Sequence, residues 1–187
     1  MLFYLLHDRT LPGSSILLSQ ALLIVITTIF LTVDFLRLRL RQMKDIFVVL
    51  FGSLLRRHEF WGLTGGSYLL LASLLAAFIY EPRVLVPALT FLALGDTVAA
   101  IVGLSIGRIR FWRKTLEGTM AGLIACIGVA YAASILPYWR LPFGVGILGA
   151  VTASLVEASP IEVNDNVAVP LVSGLVMQTA LWLNAFA

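Results

Sequence analysis

The chain has 187 residues, of which 60% are hydrophobic and only 12% are charged, with a mean hydropathy of +0.99. Soluble domains are about 45–50% apolar and about 25% charged, so this composition excludes an ordinary soluble protein and predicts a single integral membrane domain. The one cysteine, Cys126, excludes an intrachain disulfide and a cysteine-based zinc site. We expect membrane lipids and no nucleic acid among its partners, and the sequence leaves a homo-oligomer open.

Apolar runs of about 17–25 residues are typical of membrane-crossing helices. Here they predict an all-α, polytopic helix bundle with about six transmembrane helices. The predicted spans cover about residues 15–36, 63–80, 84–107, 116–136, 143–156 and 167–186. Residues 37–59 carry six basic side chains around an apolar run too short to cross, and we expect a cytoplasmic interfacial helix there. Arg37, Arg39 and Arg41 are interpreted as lipid-facing or orienting charges.

Basic residues are distributed unevenly between the two sides of this predicted bundle. Ten lie on the side that holds residues 37–59 and 108–114, against three on the other side. The excess of Lys and Arg places the first side in the cytoplasm. Small size and short loops favour a prokaryotic plasma membrane as the location.

Asp96 is the most informative residue, because it interrupts a run apolar enough to cross a bilayer. An ionised carboxylate in hydrocarbon is costly and is rarely present without a function. At helical spacing Asp96 shares a face with Ala100, Gly103 and Gly107, so we expect it to point at neighbouring helices. It is predicted to hold a metal or to position a hydroxyl; the alternative is a structural carboxylate.

Small residues recur every four positions along three of the predicted spans. This spacing lets helix backbones approach each other closely in lipid. The residues are Ala99, Gly103 and Gly107, then Gly118 and Gly122, then Gly149 and Ala153.

A second polar cluster, Lys114, Thr115, Glu117 and Gly118, begins the fourth predicted span. Lys114 and Glu117 are three residues apart and are predicted to lie on one face of the first helical turn. A lysine beside unpaired helix N–H groups is suited to binding phosphate, and Glu117 is expected to ligate Mg²⁺ or to pair with Lys114. The alternative is an interfacial anchor with a capping carboxylate.

A third cluster combines Glu157, Glu162 and Asp165 with no basic residue between them. Carboxylate oxygens suit Mg²⁺, which is usually held by one or two carboxylates together with substrate phosphates. The alternative is helix capping by Asp165 and Asn166, since both residue types are common N-caps.

Arg56 and Arg57 form a basic pair that could meet nucleotide phosphates or anionic lipid headgroups. The sequence lacks a P-loop, because Lys114-Thr115 has no preceding glycine at the required spacing. It also lacks the Gly-x-Ser-x-Gly and His-Glu-x-x-His motifs. Phosphate chemistry in this chain would need a different kind of site.

Taken together, the three clusters resemble the CTP-dependent lipid kinases, the family of dolichol kinase, phytol and farnesol kinases and the CTP-using diacylglycerol kinase. The resemblance covers about residues 56–170, most of the chain. The matching motifs are Gly95-Asp96-x-x-Ala99 with Gly103 and Gly107-Arg108, Lys114-Thr115-x-Glu117-Gly118, Glu157, Asp165-Asn166-x-x-x-Pro170, and Glu59 with Thr64-Gly65-x-x-Tyr68.

The resemblance implies an enzyme that transfers the γ-phosphate of CTP to a lipid alcohol, with an active site that faces the cytoplasm. Asp96, Lys114 and Glu117 would be catalytic. Lys114, Thr115, Arg57, Gly118 and Asn166 would bind the nucleoside triphosphate, and Asp96, Asp165 and Glu157 would hold Mg²⁺. Two alternatives remain open: a cytidylyltransferase that makes a CDP-lipid, and a small proton-coupled transporter built around Asp96.

Overall fold

A computed structural model describes residues 12–52, 57–137, 139–160 and 163–183 of the chain. Over these ranges the protein is helical apart from one two-residue β-hairpin. The α-helices are α1 Pro12–Arg39, α2 Arg41–Phe51, α3 Gly65–Ile79, α4 Pro82–Thr90, α5 Asp96–Ile106, α6 Leu116–Ile135, α7 Phe143–Ala158 and α8 Asp165–Trp182. A 3₁₀ turn covers Arg57–Phe60, a π-helical turn covers Phe91–Gly95, and the hairpin pairs β1 Arg110–Phe111 with β2 Lys114–Thr115.

Three of the described helical segments are long and apolar enough to cross a membrane by length and composition. They are Ile16–Arg39, Pro82–Ile106 and Leu116–Ile135. Two further apolar helices, Gly65–Ile79 and Phe143–Ala158, are shorter. The prediction of an all-helical chain is therefore confirmed, and the helix bounds lie within a few residues of the predicted spans. Residues 184–186 of the sixth predicted span lie outside the described residues.

The chain divides into two compact units, an N-terminal one that ends at Leu74 and a C-terminal one that begins at Leu75. In the N-terminal unit, α1 extends three residues beyond the predicted end of the first span. Arg37 lies inside this helix, with only 1% of its side chain exposed. The interpretation of Arg37 as a lipid-facing charge is therefore wrong, because its guanidinium is buried against polar groups of its own unit.

The C-terminal unit has an apolar core made by five of its helices, with the π-helical turn packed among them. Side chains of α4 and the π turn contribute Val84, Ala88 and Phe91, each fully buried. Val145 and Met177 bring α7 and α8 into the same core. The buried faces of these helices are narrow and rich in small residues. The side chains around these faces are exposed, and many of them are large and apolar.

Glycines set the close approach of α5 and α6, as the small-residue spacing predicts. A Cβ on Gly118 would lie 2.6 Å from the carbonyl oxygen of Ala99, and one on Gly122 would lie 3.0 Å from that of Gly95. A Cβ on Gly103 would lie 2.8 Å from the hydroxyl oxygen of Thr115. Ala100 is exposed, however, so the expectation that it shares the packed face with Asp96 is wrong; Ala99 is the buried residue.

The π-helical turn Phe91–Gly95 ends immediately before Asp96. A π turn widens the helix by an i→i+5 pattern and is frequent at functional sites. Pro87, four residues before the turn, lies within α4 and cannot donate a backbone hydrogen bond.

Candidate functional site

The ammonium group of Lys114 joins two carboxylates that are far apart in the sequence. Its Nζ donates a hydrogen bond of 2.7 Å to Oδ1 of Asp96 and also contacts Oε1 of Glu157. The Glu157 side chain is only 5% exposed, whereas that of Asp96 is 39% exposed. One residue from each of the three sequence clusters thus meets at a single point in the C-terminal unit.

The β-hairpin between α5 and α6 places Lys114 at this point. Phe111 pairs with Lys114 in an antiparallel register, and Trp112 takes the left-handed conformation, with φ of 52°, that the tight turn requires. The backbone N–H of Arg113 donates to the carbonyl of Ala158 over 3.4 Å, which ties the hairpin to the end of α7. Lys114 therefore lies in β2, before the helix, and the prediction that it occupies the first turn of the fourth span is wrong.

Glu117 lies in the first turn of α6 but does not join the Lys114 cluster. Its carboxylate accepts hydrogen bonds from the backbone N–H groups of Arg108, over 3.0 Å, and Ile109, over 3.2 Å. It thus holds the loop that leads from α5 into the hairpin. The expectation that Glu117 shares a helix face with Lys114 fails because the hairpin turns Lys114 away from that helix.

Capping residues fix the starts of the two helices near the site. Thr115 is the N-cap of α6, and its hydroxyl accepts from the N–H of Gly118 over 3.2 Å. Asn164 is the N-cap of α8, and its side chain accepts from the N–H of Asn166 over 3.0 Å. The prediction that Asp165 and Asn166 cap this helix is therefore wrong, because both residues already lie within α8 and the residue before them is the N-cap.

Electrostatics keep the Lys114 ammonium charged. Burial alone would lower the pKa of Lys114, but the hydrogen bonds to Asp96 and Glu157 and their negative charges outweigh it and raise the pKa above 10.5. When all three groups are ionised, one ammonium faces two carboxylates and leaves one formal negative charge. A second cation bound beside them would neutralise that charge.

The third predicted metal ligand, Asp165, faces a different partner. Its Oδ1 lies 3.6 Å from a guanidinium nitrogen of Arg113. In the part of the chain that the structure describes, no three His, Cys, Asp or Glu side chains are grouped as metal ligands. Asp96 and Glu157 share Lys114, and Asp165 does not complete a protein-only metal site with them.

A narrow cleft, too tight to admit a water molecule, adjoins the ion cluster. Besides Lys114 and Glu157, its walls are small or hydroxyl-bearing side chains. The remaining lining residues are Ala99, Thr119, Gly122, Ser154 and Ala158. The Ser154 hydroxyl is buried; it has no nitrogen or oxygen partner among the described residues, and its side-chain hydrogen bond is with the thiol of Cys126. The cleft thus carries both charged and uncharged polar groups at the packed junction of α5, α6 and α7.

Two of the predicted basic and acidic residues fall in segments that are not described. Arg56 and Glu162 lie outside the described residues, and the backbone of Arg57 belongs to the 3₁₀ turn. The roles predicted for these residues therefore stay predictions.

A buried polar cluster in the N-terminal unit was missed by the sequence analysis. Asp34 is 1% exposed and forms an ion pair with Arg37, accepts from the N–H of Thr64 over 2.8 Å and contacts the hydroxyl of Ser67. Arg37 also donates to the carbonyls of Glu59 and Gly62. The signal was present: Asp34 interrupts an apolar run just as Asp96 does, with a basic residue one helical turn away.

Comparisons with known proteins give one distant similarity. The chain is 26% identical over 159 residues to a protein of Rickettsia prowazekii (strain Madrid E) described as uncharacterized protein RP860. The match covers 80% of this chain and 76% of that protein. No protein-family model matches the chain. No solved structure matches it.

Proposed function

We propose that the protein is a membrane-embedded lipid-alcohol kinase, which transfers the γ-phosphate of CTP to the hydroxyl of a prenol, phytol or diacylglycerol. The observation that carries the proposal is the convergence of Lys114, Asp96 and Glu157 beside a cleft in a helical unit with an apolar surface. The exposed helix faces around these charged groups are apolar, which would let a lipid alcohol approach them from the membrane. CTP as the donor is implied by the family resemblance.

Phosphoryl transfer depends mainly on positioning and on neutralising the charge of the transferring group. Lys114 supplies a fixed positive charge of the right kind, and the closed packing around it strengthens its electrostatic effect. In the structure, the carboxylates of Asp96 and Glu157 contact the Lys114 ammonium. A nucleotide phosphate would compete with Asp96, the more exposed of the two, for the same hydrogen bonds.

The residues fit a bound Mg²⁺. Two carboxylates converge on one cation, the Lys114 ammonium, and Mg²⁺ usually takes one or two protein carboxylates plus phosphate oxygens. Asp96 and Glu157 would hold the ion, which neutralises phosphate charge when bound. The formal negative charge left beside Lys114 favours a cation there. Asp165 would join these metal ligands only if it gave up its contact with Arg113.

The reaction forms a bond between the alcohol oxygen and the γ-phosphorus of CTP and breaks the bond to the β–γ bridging oxygen. CDP leaves, and the hydroxyl proton passes to a carboxylate. Asp96 suits this role better than Glu117, because the Glu117 carboxylate already accepts two backbone N–H groups. Asp96 is partly exposed at the mouth of the site, where the hydroxyl and the nucleotide would meet.

We also propose the six-span arrangement, with the hairpin facing the cytoplasm of a prokaryotic cell. Support comes from the three long apolar helices, the two shorter ones and the excess of basic residues on the hairpin side. This orientation gives the site access to cytoplasmic nucleotide while the lipid enters between helices.

The test is phosphoryl transfer by the purified protein in detergent, with Mg²⁺, γ-labelled CTP or ATP, and a panel of prenols, phytol and diacylglycerol. We expect label in lipid with CTP, and loss of that label in Asp96→Asn with the fold retained. Full activity of Asp96→Asn would remove Asp96 from the site. Pyrophosphate release from CTP with phosphatidic acid, and no labelled lipid alcohol, would replace the kinase by a cytidylyltransferase.

A further inference from the structure

The connection between α5 and α6 exposes basic and apolar side chains side by side. Arg108 and Arg110 are both exposed, and the side chains of Ile109 and Trp112 are 57% and 55% exposed. A group of exposed apolar side chains on a protein surface marks a site of interaction with a protein, a ligand or a membrane. We call these four side chains the hairpin surface.

Trp112 is an unusual residue for its position in the turn. Its φ of 52° lies in the left-handed region, which glycine, asparagine and aspartate adopt at the lowest cost. Its ring stacks on that of Phe111, with the ring centroids 4.7 Å apart, yet more than half of the side chain stays exposed. A bulky residue here costs backbone energy and gains little burial within the protein, so a partner outside the chain accounts for it.

The loop at the other end of α6 treats the same residue types differently. Arg140 is exposed there and also has a positive φ, of 43°. Its two neighbours in sequence, Trp139 and Leu141, are only 9% and 1% exposed. Exposure of a tryptophan beside an arginine is therefore a property of the hairpin and not of the loops of this unit in general.

The length of the connection keeps the hairpin surface close to the membrane. The segments Pro82–Ile106 and Leu116–Ile135 are both long and apolar enough to cross it, and residues 107–115 join them. Even fully extended, such a loop reaches no more than about 15 Å from the helix ends, at about 3.5 Å per residue out and back. This is the depth of the lipid headgroups, where tryptophan is enriched because its ring is apolar and its N–H is polar.

The charge of the hairpin surface selects the kind of lipid. Arg110 takes part in none of the ion pairs formed among the described residues. The acidic group beside Arg108 is Glu117, which accepts the backbone N–H of Arg108, while Arg113 already lies against Asp165. The hairpin surface thus keeps a net positive charge, and guanidinium groups bind phosphate through paired hydrogen bonds.

We propose that the hairpin surface binds the headgroups of anionic phospholipids, with Arg108 and Arg110 on the phosphates and Ile109 and Trp112 at the boundary with the acyl chains. The inference goes beyond the proposed function and rests on the proposed crossing of α5 and α6, not on phosphoryl transfer. Because the same hairpin carries Lys114 into the ion cluster, bound lipid stabilises the C-terminal unit as well.

The first experiment titrates the purified protein in neutral detergent with a short-chain phosphatidylglycerol, and separately with the phosphatidylcholine of the same chains, and follows the Tm. We expect phosphatidylglycerol to raise the Tm and phosphatidylcholine to have little effect. The double variant Arg108→Gln, Arg110→Gln should need about 10–30-fold more phosphatidylglycerol for the same rise. Arg140→Gln is the matched control and should respond like the wild type, and all three proteins should have the same Tm without lipid.

A second readout reports on the hairpin itself. In a Cys126→Ala background, Trp112→Cys is labelled with a polarity-sensitive fluorophore and reconstituted in phosphatidylcholine vesicles with increasing phosphatidylglycerol. We expect the emission to move to shorter wavelength as the anionic fraction rises, and high salt to reverse the change by screening. A label at Leu136→Cys, at the other end of α6, is the control and should not respond to the anionic fraction.

Equal titrations of the wild type and the double arginine variant, or an equal response to both lipids, would overturn the proposal. A Tm that rises with Mg²⁺ and CTP through the two arginines, without any response to phosphatidylglycerol, would assign them to the nucleotide and overturn it too. Neither readout contains a nucleotide or an acceptor alcohol. A protein that binds phosphatidylglycerol through the hairpin but phosphorylates no lipid therefore retains this inference and loses the kinase.

Discussion

Lys114 is the residue on which the candidate site depends, because it compensates a carboxylate that is almost fully buried. Glu157 is 5% exposed, and its described ion pair is with the Lys114 ammonium. Removing one partner of a buried ion pair is more costly than removing both, since it leaves a charge without compensation. The structural role of Lys114 and its proposed catalytic role can therefore be separated by a double substitution.

We expect Lys114→Met to lower the stability by roughly 3 kcal/mol and to abolish lipid phosphorylation, with a loss of at least about 100-fold in kcat. Lys114→Met with Glu157→Gln should recover most of the Tm and none of the activity. The measurements are thermal unfolding in detergent and the labelled-CTP assay. Arg110→Met, an exposed basic residue of the same hairpin, is the control and should behave like the wild type. Activity in the stable double variant would refute the catalytic role.

Glu81 provides a second residue whose charge is fixed by its neighbours, at the start of α4. Burial alone would raise the pKa of Glu81, but the hydrogen bonds from Arg83 and Gln178 outweigh it and lower the pKa below 4.5. A carboxylate with a lowered pKa stabilises the fold above its unfolded pKa and loses that contribution as the pH falls through the folded value.

We therefore expect the wild-type Tm to fall as the pH is lowered below about 4.5, and to fall less steeply in Glu81→Gln. Above that pH the variant should be the less stable protein, because it loses the ion pair with Arg83. Parallel Tm curves for the two proteins from pH 6 to pH 3 would show that Glu81 does not contribute. Asp45→Asn, an exposed carboxylate on α2, serves as the control.

At the scale of the elements, the packing of α5 against α6 depends on the absence of side chains. Gly118 lies where a Cβ would meet the backbone oxygen of Ala99 at 2.6 Å, which a backbone cannot relieve by a change of rotamer. Gly128 lies on the same helix, and a Cβ there would meet nothing within 4 Å. The two glycines therefore predict opposite effects of the same substitution.

Gly118→Ala should lower the Tm and reduce phosphorylation, because it pushes α6 and its preceding Lys114 away from Asp96. Gly128→Ala should leave activity unchanged and raise stability by about 0.5–1 kcal/mol, since alanine loses less backbone entropy than glycine in a helix. Both are measured by thermal unfolding and the kinase assay. Equal effects of the two substitutions would contradict the close packing at Gly118.

For the whole molecule, the proposed topology requires α6 to carry the chain across the membrane. Its 20 residues span about 30 Å at 1.5 Å per residue, the thickness of the hydrocarbon core. Arg110 before the helix and Leu136 after it should therefore be on opposite sides. Cys126 is buried and is the only cysteine of the chain, so it can be replaced before new cysteines are introduced.

In a Cys126→Ala background, we expect Leu136→Cys to react with a membrane-impermeant maleimide in intact cells and Arg110→Cys to react only after permeabilisation. The reason is the proposed orientation, in which the basic residues of the hairpin stay in the cytoplasm. Labelling is read by a mass shift on a gel, and permeabilised cells are the control in which both residues should react. Reaction of both residues in intact cells would exclude a crossing by α6.

Local sequence patterns were enough to predict the helical class, the bounds of the apolar helices to within a few residues, and the small-residue contacts of α5 with α6. These features follow from local periodicity and from the length of apolar runs, which are properties of neighbouring residues. The sequence also identified Asp96, Lys114 and Glu157 singly, because a charged residue in an apolar run stands out without any knowledge of its partners.

Which of these residues meet depends on contacts between segments that are distant in the sequence. The β-hairpin carries Lys114 to Asp96 and Glu157 and leaves Glu117 to bind backbone N–H groups, since two-residue strands leave no periodic signal. Asp34 and Arg37 proved to be buried partners because α1 continued past its predicted end.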